Sequence, residues 1–531
     1  MTDRMPETLP QMLAQAVTAD TGAAIVYGSE RLAYRDLEAQ SKRAAAGLAA
    51  AGIGVGDRVA FWLPNTPAYL VLYFACARLG AIAVAVNTRF RASEVEDVLG
   101  RTGAKALIMW PGFRGIDFPG ILEEVDRTAL GRLETAILYA EDGAAAEALP
   151  GVAKTISYGA LFDAGHHEED AATPGLGCNT FTTSGTTKAP KFVLHSHASM
   201  AVHAAEVAAD FGYADPATVI QQDMPLCGVF GITGVLAAIA AARPLILTSA
   251  FDADRTVALM AEHKVTHFDG SDEMIDRLLR ATDRDDIFER VNFAGYAIFN
   301  SYLDDIVERA ERRGLHAVGL WGMSEMQALV TRRDREDPAD IRKKGGGRLV
   351  SPHAEVRVRD PETGALCAEG VAGELEIKGP SRMSEYYGDP GSTAEALTED
   401  GFLRTGDLVQ MERGGGFEYL TRMGDVLRLG GFLVSPAEIE AEVQAHPAVG
   451  GVQVVSAPFG GADRAIAFVV PEAGVEVDEG AVQAHCAGRL AKYKVPAKVV
   501  SLEAFPVTES ANGIKIQRTK LREMALALVS S

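Results

Sequence analysis

The sequence predicts an α/β protein: a large N-terminal domain of layered α/β subdomains that includes a β-rich subdomain, followed by a small α+β C-terminal domain. Three observations carry this expectation. Apolar, β-rich runs alternate with helix-patterned segments up to about residue 330, the texture shifts to short strands with turn punctuation from Ala354, and a fresh α/β pattern begins after Asp425. At 531 residues the chain exceeds what one core organises, and roughly 150 residues per domain suggests about three or four units.

The elements follow in order. The run ArgValAlaPheTrpLeu near residue 60 reads as a buried strand, a helix starts at about Ala68, and strands return at Ala81 to Val86 and Ala106 to Trp110. The alternation persists through Arg243 to Ser249 and Val265 to Phe268. The β-rich block is expected over about 345–424, with strands such as GlyGluLeuGluIleLys from Gly373, which gives a domain over 1–424 and a second over 425–531. In that second domain Ser435-Pro436 reads as a helix start, with Ser435 as side-chain N-cap. An Ala-rich stretch around 141–150 reads as a variable segment.

Bulk chemistry excludes several classes. Hydrophobic residues at 47% and charged residues at 23% are those of a globular chain, so global disorder is excluded. A formal charge of −21 opposes a nucleic-acid backbone, and no nucleic-acid partner is expected. Five scattered cysteines, Cys76, Cys178, Cys227, Cys367 and Cys486, form no CxxC pair, which points to a reducing cytoplasm and no structural zinc. The N-terminus lacks the apolar core of a secretory signal. Leu70 to Val86 and Val229 to Phe251 are apolar enough to test as membrane spans, but Arg78, Arg243, Pro244 and several glycines favour buried helix and strand, so no membrane span is expected.

The most specific local pattern is Phe181-Thr-Thr-Ser-Gly-Thr-Thr-Lys-Ala-Pro-Lys191. Its backbone amides and hydroxyls can cradle a polyphosphate, with Lys188 and Lys191 supplying charge. It lacks the Walker A spacing. Alone, it also fits a Ser/Thr-rich turn.

It resembles the phosphate-binding signature of the acyl-adenylate-forming superfamily, the AMP-binding enzymes, and further signatures follow in order. Trp321-Gly-Met-Ser-Glu325 resembles the aromatic-Gly-x-Thr-Glu motif, Gly373 to Gly379 the next strand, and Gly401-Phe-Leu-Arg-Thr-Gly-Asp407 the ribose-binding segment. Arg422 and Asp425 match the hinge motif. Gly431-Phe432 and Ser435 to Glu440 follow, and Asn512 to Arg522 resembles the stretch bearing the catalytic lysine. The resemblance runs from about residue 20 to the end and favours the acyl- or aryl-CoA synthetase branch.

That resemblance implies roles. Thr182, Thr183, Ser184, Gly185, Thr186, Thr187, Lys188 and Lys191 would hold the ATP phosphates, and Glu325 would ligate Mg²⁺, a hard cation that takes carboxylate oxygen. Trp321 would stack on adenine, lined by Gly295, Tyr296 and Ala297, with Gly322, Met323 and Ser324 alongside. Asp407 would accept from both ribose hydroxyls, with Arg422 nearby. Lys515 would stabilise charge at the α-phosphate. Asp425 would be the hinge of a mobile C-terminal domain that brings Gly430 and Gly431 to a coenzyme A channel. Read without the resemblance, Glu325 fits a helix cap, Trp321 a core residue, Asp407 a turn, and Lys515 a basic solvated tail with Arg518, Lys520 and Arg522.

Some positions depart from the family pattern. Lys188 stands where a glycine is usual, Gly228 where many relatives carry His, Gly424 where a basic residue is common, and Ile514 separates Gly513 from Lys515. The small carboxylic acid substrate would sit against Phe230, Gly231, Gly270, Ser271, Tyr296 and Gly322, where the small residues at several positions are expected to leave room for a medium aliphatic or ring-bearing acid. Three readings remain at this point: a CoA ligase, favoured by the stand-alone length; an adenylating enzyme that serves a carrier protein; and a noncatalytic acyl-nucleotide binder. A homodimer is compatible with each.

Overall fold

The computed structural model describes all residues except 1–4, 20, 142, 144–147, 150, 184–189, 300–302, 430–431, 460–461, 488, 491, 511–512 and 531. Its body is two large sheets with helices between them. The first sheet has at its centre five parallel strands in the spatial order Leu245–Leu247, Ile220–Gln222, His267–Ser271, Phe293–Ala297 and Ala317–Met323. The second has eight strands, of which Gly177–Thr183, Ile82–Ala85, Arg58–Trp62, Ala106–Met109, Thr135–Leu138 and Lys154–Ser157 are parallel neighbours. Parallel strands need crossover connections, and the alternating helices of the sequence provide them.

The principal core lies between the sheets, where Phe61, Phe74, Ile232, Phe268 and Val318 belong to one buried cluster. Two helices there explain the membrane-like runs. In Pro67–Leu79 every residue is buried, and in Val229–Ala240 only the last residue is not. Helices of 13 and 12 residues reach about 20 Å at 1.5 Å per residue, short of the roughly 30 Å of a bilayer core. No helix among the described residues is long and apolar enough to cross a membrane. The first is bounded by its own chemistry: Thr66 Oγ1 accepts from the Tyr69 N–H at 3.1 Å, Pro67 occupies the first turn, and Gly80 closes it at φ 67°.

The expected β-rich block does not form a free-standing sheet. Gly346–Leu349 pairs with Gln327–Arg332, and from it the ladder continues through Phe417–Arg422, Leu403–Met411, Ala372–Lys378 and Glu355–Arg359, extending the first sheet to thirteen strands. The block has its own core around Leu375, Ile377, Leu403 and Phe417. Strand edges left by the parallel body are thereby paired rather than exposed.

Beyond Leu427 the described sheets and core clusters involve only C-terminal residues. The strands Val449–Phe459, Ala462–Pro471 and Lys498–Ser501 form one sheet, with Ile439, Val454, Ala467 and Val482 in one cluster and Val455, Phe468, Leu521 and Ala525 in another. Ser435 precedes the helix Pro436–Gln444 as expected, but its hydroxyl makes no cap bond. It donates instead to the Leu420 carbonyl at 3.2 Å, on the strand Phe417–Arg422. Much of the Ala-rich 141–150 stretch lies outside the described residues.

Candidate active site

In an open α/β sheet the carboxyl ends of parallel strands converge on a crevice. Here those ends present Gly270-Ser271, Gly295-Tyr296-Ala297 and Trp321-Gly322-Met323 side by side. The motif Ser324–Met326 forms a tight turn after Met323 and leads into the antiparallel strand Gln327–Arg332. Gln327 at φ 67° and Leu329 at φ 61° hold left-handed conformations that side chains disfavour.

The turn is held in place by the strand Lys191–Ser196 and the helix His197–Asp210. His195 Nε2 meets the Ser324 carbonyl at 2.7 Å, His203 Nε2 meets the Ala328 carbonyl at 2.6 Å, and Gln327 Nε2 donates to the Ser199 carbonyl at 2.7 Å. Burial lowers both imidazoles to about 4, so near neutral pH each ring is uncharged and Nε2 carries the donor proton its carbonyl requires. Three histidines within nine residues, His195, His197 and His203, were the available sequence signal for this buttress.

Glu325 is 9% exposed. The Tyr386 hydroxyl donates to its Oε1 at 2.8 Å, and the Lys191 ammonium lies over the Tyr386 ring, 4.4 Å from its centroid. Lys191 pairs with Thr183 across the antiparallel ladder, and its N–H donates to Thr183 Oγ1 at 3.4 Å. Thr182 and Thr183 end the incoming strand and are half-buried. Ser184, Gly185, Thr186, Thr187 and Lys188 lie outside the described residues. Tyr386 thus joins the two motifs, and no motif in the sequence announces it.

Asp407 is the second buried carboxylate, 1% exposed. Trp321 Nε1 donates to its Oδ2 at 3.0 Å, and Arg422, its cross-strand neighbour, brings Nε to 3.0 Å from Oδ1. That contact is an ion pair without hydrogen-bond alignment, so Oδ1 retains an unmade bond. Burial pushes the carboxyl up to about 6, with Arg422 and Trp321 opposing. The indole is only 7% exposed and packs edge-on against Phe417 at 5.2 Å, so Trp321 serves as a wall and as a donor to Asp407.

The acyl-side glycines do not leave open space as expected. A Cβ on Gly231 would lie 2.2 Å from the Pro225 carbonyl oxygen, on Gly322 2.8 Å from Ala328 Cα, and on Gly270 3.0 Å from the Phe268 ring. These glycines permit close packing of chain against chain. Tyr296 also departs from the expected acyl lining: alternation along the strand sends it to the face opposite Gly295, where it is 1% exposed and feels Asp272, Glu308 and Arg342. Its backbone alone borders the crevice. Phe230 is buried near the start of its helix, and Gly228 caps that helix with extended backbone.

Among C-terminal residues, Lys515 pairs with Thr508 in a hairpin, and its side chain lies outside the description. Gly430 and Gly431 lie outside it as well. The following Arg518 is no solvated tail: it donates to both oxygens of buried Glu440 at 2.8 and 3.0 Å. Arg522 donates to the Gly424 carbonyl at 2.9 Å and approaches Asp425 at 4.0 Å, so the segment after Lys515 meets the expected hinge.

A two-sheet body with a small α+β C-terminal unit, with Glu325 buried just after a strand end and Asp407 buried within the strand Leu403–Met411, has the architecture of the adenylate-forming enzymes. Family models agree: residues 14–387 match the AMP-binding enzyme family and 438–512 the AMP-binding enzyme C-terminal domain, and the chain belongs to that family. Within it the chain falls in the acyl-CoA synthetase branch. It is similar to the putative acyl-CoA synthetase YngI of Bacillus subtilis (strain 168), 29% identical over 99% of both chains. A feruloyl-CoA synthase of Amycolatopsis sp is 30% identical over 93% of this chain and 94% of its own. The ATP-bound crystal structure of MatB from Rhodopseudomonas palustris superposes with a TM-score of 0.82 at 25% identity, covering 98% of this chain and 100% of the other.

Proposed function

We propose that this chain joins a small carboxylic acid to coenzyme A at the expense of ATP, through an acyl adenylate, with release of AMP and pyrophosphate. The observation that carries the reading is the chain of contacts Lys191, Tyr386, Glu325, which ties the end of the Thr/Ser-rich loop to a buried carboxylate.

Adenylation brings two anions together, so the protein must neutralise charge and fix geometry. Lys191 and the hydroxyls of the loop would hold the β- and γ-phosphates. Asp407, ionised above about pH 6, accepts from the ribose hydroxyls with the capacity that Oδ1 retains. Lys515 reaches the α-phosphate and the acid carboxylate when its hairpin closes on the crevice.

Among the described residues no cluster of three ligating side chains could hold a metal alone. A single buried Glu325 fits Mg²⁺, which is bound by one or two carboxylates together with substrate phosphates and water. Bound there, the ion would neutralise phosphate charge, while Tyr386 keeps the Glu325 carboxylate oriented.

After adenylation the C-terminal unit pivots near Asp425, Lys515 withdraws, and Gly430 and Gly431 approach the channel for the thiol. The net charge of −21, the absence of a membrane-crossing helix among the described residues and the unpaired cysteines favour a cytoplasmic enzyme without a nucleic-acid partner. A panel of carboxylic acids assayed for pyrophosphate with and without coenzyme A tests the reading. Acid-dependent pyrophosphate together with CoA thioester is the expected result, and adenylation that never yields thioester rejects it.

A further inference from the structure

One buried carboxyl has no part in the nucleotide chemistry. Asp269 sits in the strand His267–Ser271 and is 3% exposed, and its Oδ1 has no hydrogen-bond partner among the described residues. It pairs in register with Gly295, and Oδ1 stands 2.4 Å from where a Gly295 Cβ would be, so the carboxyl faces the bare backbone of the next strand. Continuing the register of Ile220 with His267 and Gln221 with Phe268 sets Gln222 alongside Asp269 on its other flank. Above Gln222 lies Gly234 of the helix Val229–Ala240, whose Cβ position would be 2.4 Å from Gln222 Nε2. The same helix carries Phe230 and Gly231, so one helix covers both the expected acyl lining and this polar row.

Depth follows from strand geometry. Asp269 lies two residues before Ser271, roughly 7 Å below the strand end at about 3.3 Å per residue. A carboxylate activated at the strand ends would place the far part of its acyl chain at that depth. Burial raises the Asp269 carboxyl to about 7, so near neutral pH it can donate as an acid or accept as an anion. A buried polar oxygen without a partner is costly, and a hydrocarbon tail packed against it would leave that cost in place.

We infer that Asp269, flanked by Gln222 and Gly295, is the floor of the acyl pocket and selects acids that carry a neutral oxygen function, a ketone or hydroxyl, several bonds from the carboxylate. This rests on the CoA-ligase reading above and names its substrate class. The test uses two matched pairs, 7-oxooctanoate with octanoate and hydroxyphenylbutanoate with phenylbutanoate, compared by kcat/KM for thioester formation. The wild-type enzyme is expected to favour an oxygenated member by about 100-fold, since a site built to hydrogen-bond a substrate oxygen discriminates strongly against its absence. Asp269→Leu should invert that ratio, and Asp269→Asn, which keeps both donor and acceptor, should preserve its direction.

Equal turnover of both members of each pair by the wild type, or a preference that survives in Asp269→Leu, overturns the inference and leaves ligase function intact. Should Asp269→Leu fail to fold, the wild-type ratio and Asp269→Asn decide the matter. Release of no pyrophosphate with any acid overturns the ligase reading and this inference together.

Discussion

Asp407 and Asp269 are both buried carboxyls on the thirteen-stranded sheet, yet their surroundings differ. Asp407 has a cation at 3.0 Å, an indole N–H at 3.0 Å and burial that lifts it to about 6. For Asp269, burial lifts the carboxyl to about 7, and the only opposing influence is the Gly295 N–H. On the proposed nucleotide side of the cleft the turn is held by His195, His203 and Gln327. The proposed acyl side keeps polar capacity unspent in Asp269 Oδ1, as Asp407 Oδ1 does beside the ion pair with Arg422. Preorganised dipoles suit a reaction that is the same in every turnover. An unmade bond suits a contact that only the right substrate completes.

The contrast can be broken most severely from the nucleotide side. Lys515→Ala should cut acid-dependent pyrophosphate release by about 10²–10³, the range for removing one preorganised charge stabiliser. Thioester formation from preformed acyl adenylate should be largely spared, and single-turnover assays of each half-reaction check this. An equal loss in both would remove Lys515 from the adenylation step.

Asp407→Asn comes next, with KM for ATP rising about 10- to 100-fold, as expected for losing charged hydrogen bonds. The wild-type KM for ATP should also climb below about pH 6 as Asp407 protonates, and the variant should lose that dependence. The stability sign is opposite. A carboxyl raised from about 3.9 to about 6 stabilises the fold below the lower value and loses that contribution as pH rises through 6. Asn should therefore gain ligand-free stability relative to wild type above pH 6 even as nucleotide binding falls. Thermal melts at pH 5 and 8 read this out.

On the acyl side, Gly231→Ala forces a Cβ toward the Pro225 carbonyl, and overpacking of this kind costs about 1–3 kcal/mol. The expected outcome is a lower melting temperature and a raised KM for the acid, with KM for ATP little changed. The smallest effect is expected from His195→Phe, which leaves the Ser324 carbonyl without its donor at a cost of about 1 kcal/mol. Because the turn carries Glu325, kcat should fall while both KM values hold, a split that a general loss of packing would not produce.

Trp321, Glu325 and Asp407 were identifiable in the sequence because each stands at a fixed place in a dense motif. Tyr386, His195 and His203 were not, because each acts through a carbonyl or carboxylate more than sixty residues away in the chain. The glycines misled for a related reason: a missing side chain looks like room until the neighbouring strand is known to fill it. Arg518 read as a solvated charge because Glu440, its buried partner, is 78 residues distant.

From sequence alone the α/β layering, the membrane-like but buried helices, the β-rich block and the order of the nucleotide motifs were determined, since periodicity and local spacing encode them. Tertiary structure alone decided that the β-rich strands extend the body's own sheet. It also decided that Tyr386 bridges Lys191 to Glu325 and that Asp269 faces Gly295 with an oxygen to spare. Those are pairings between strands, and which strand lies beside which depends on the burial of whole faces rather than on any short run of residues.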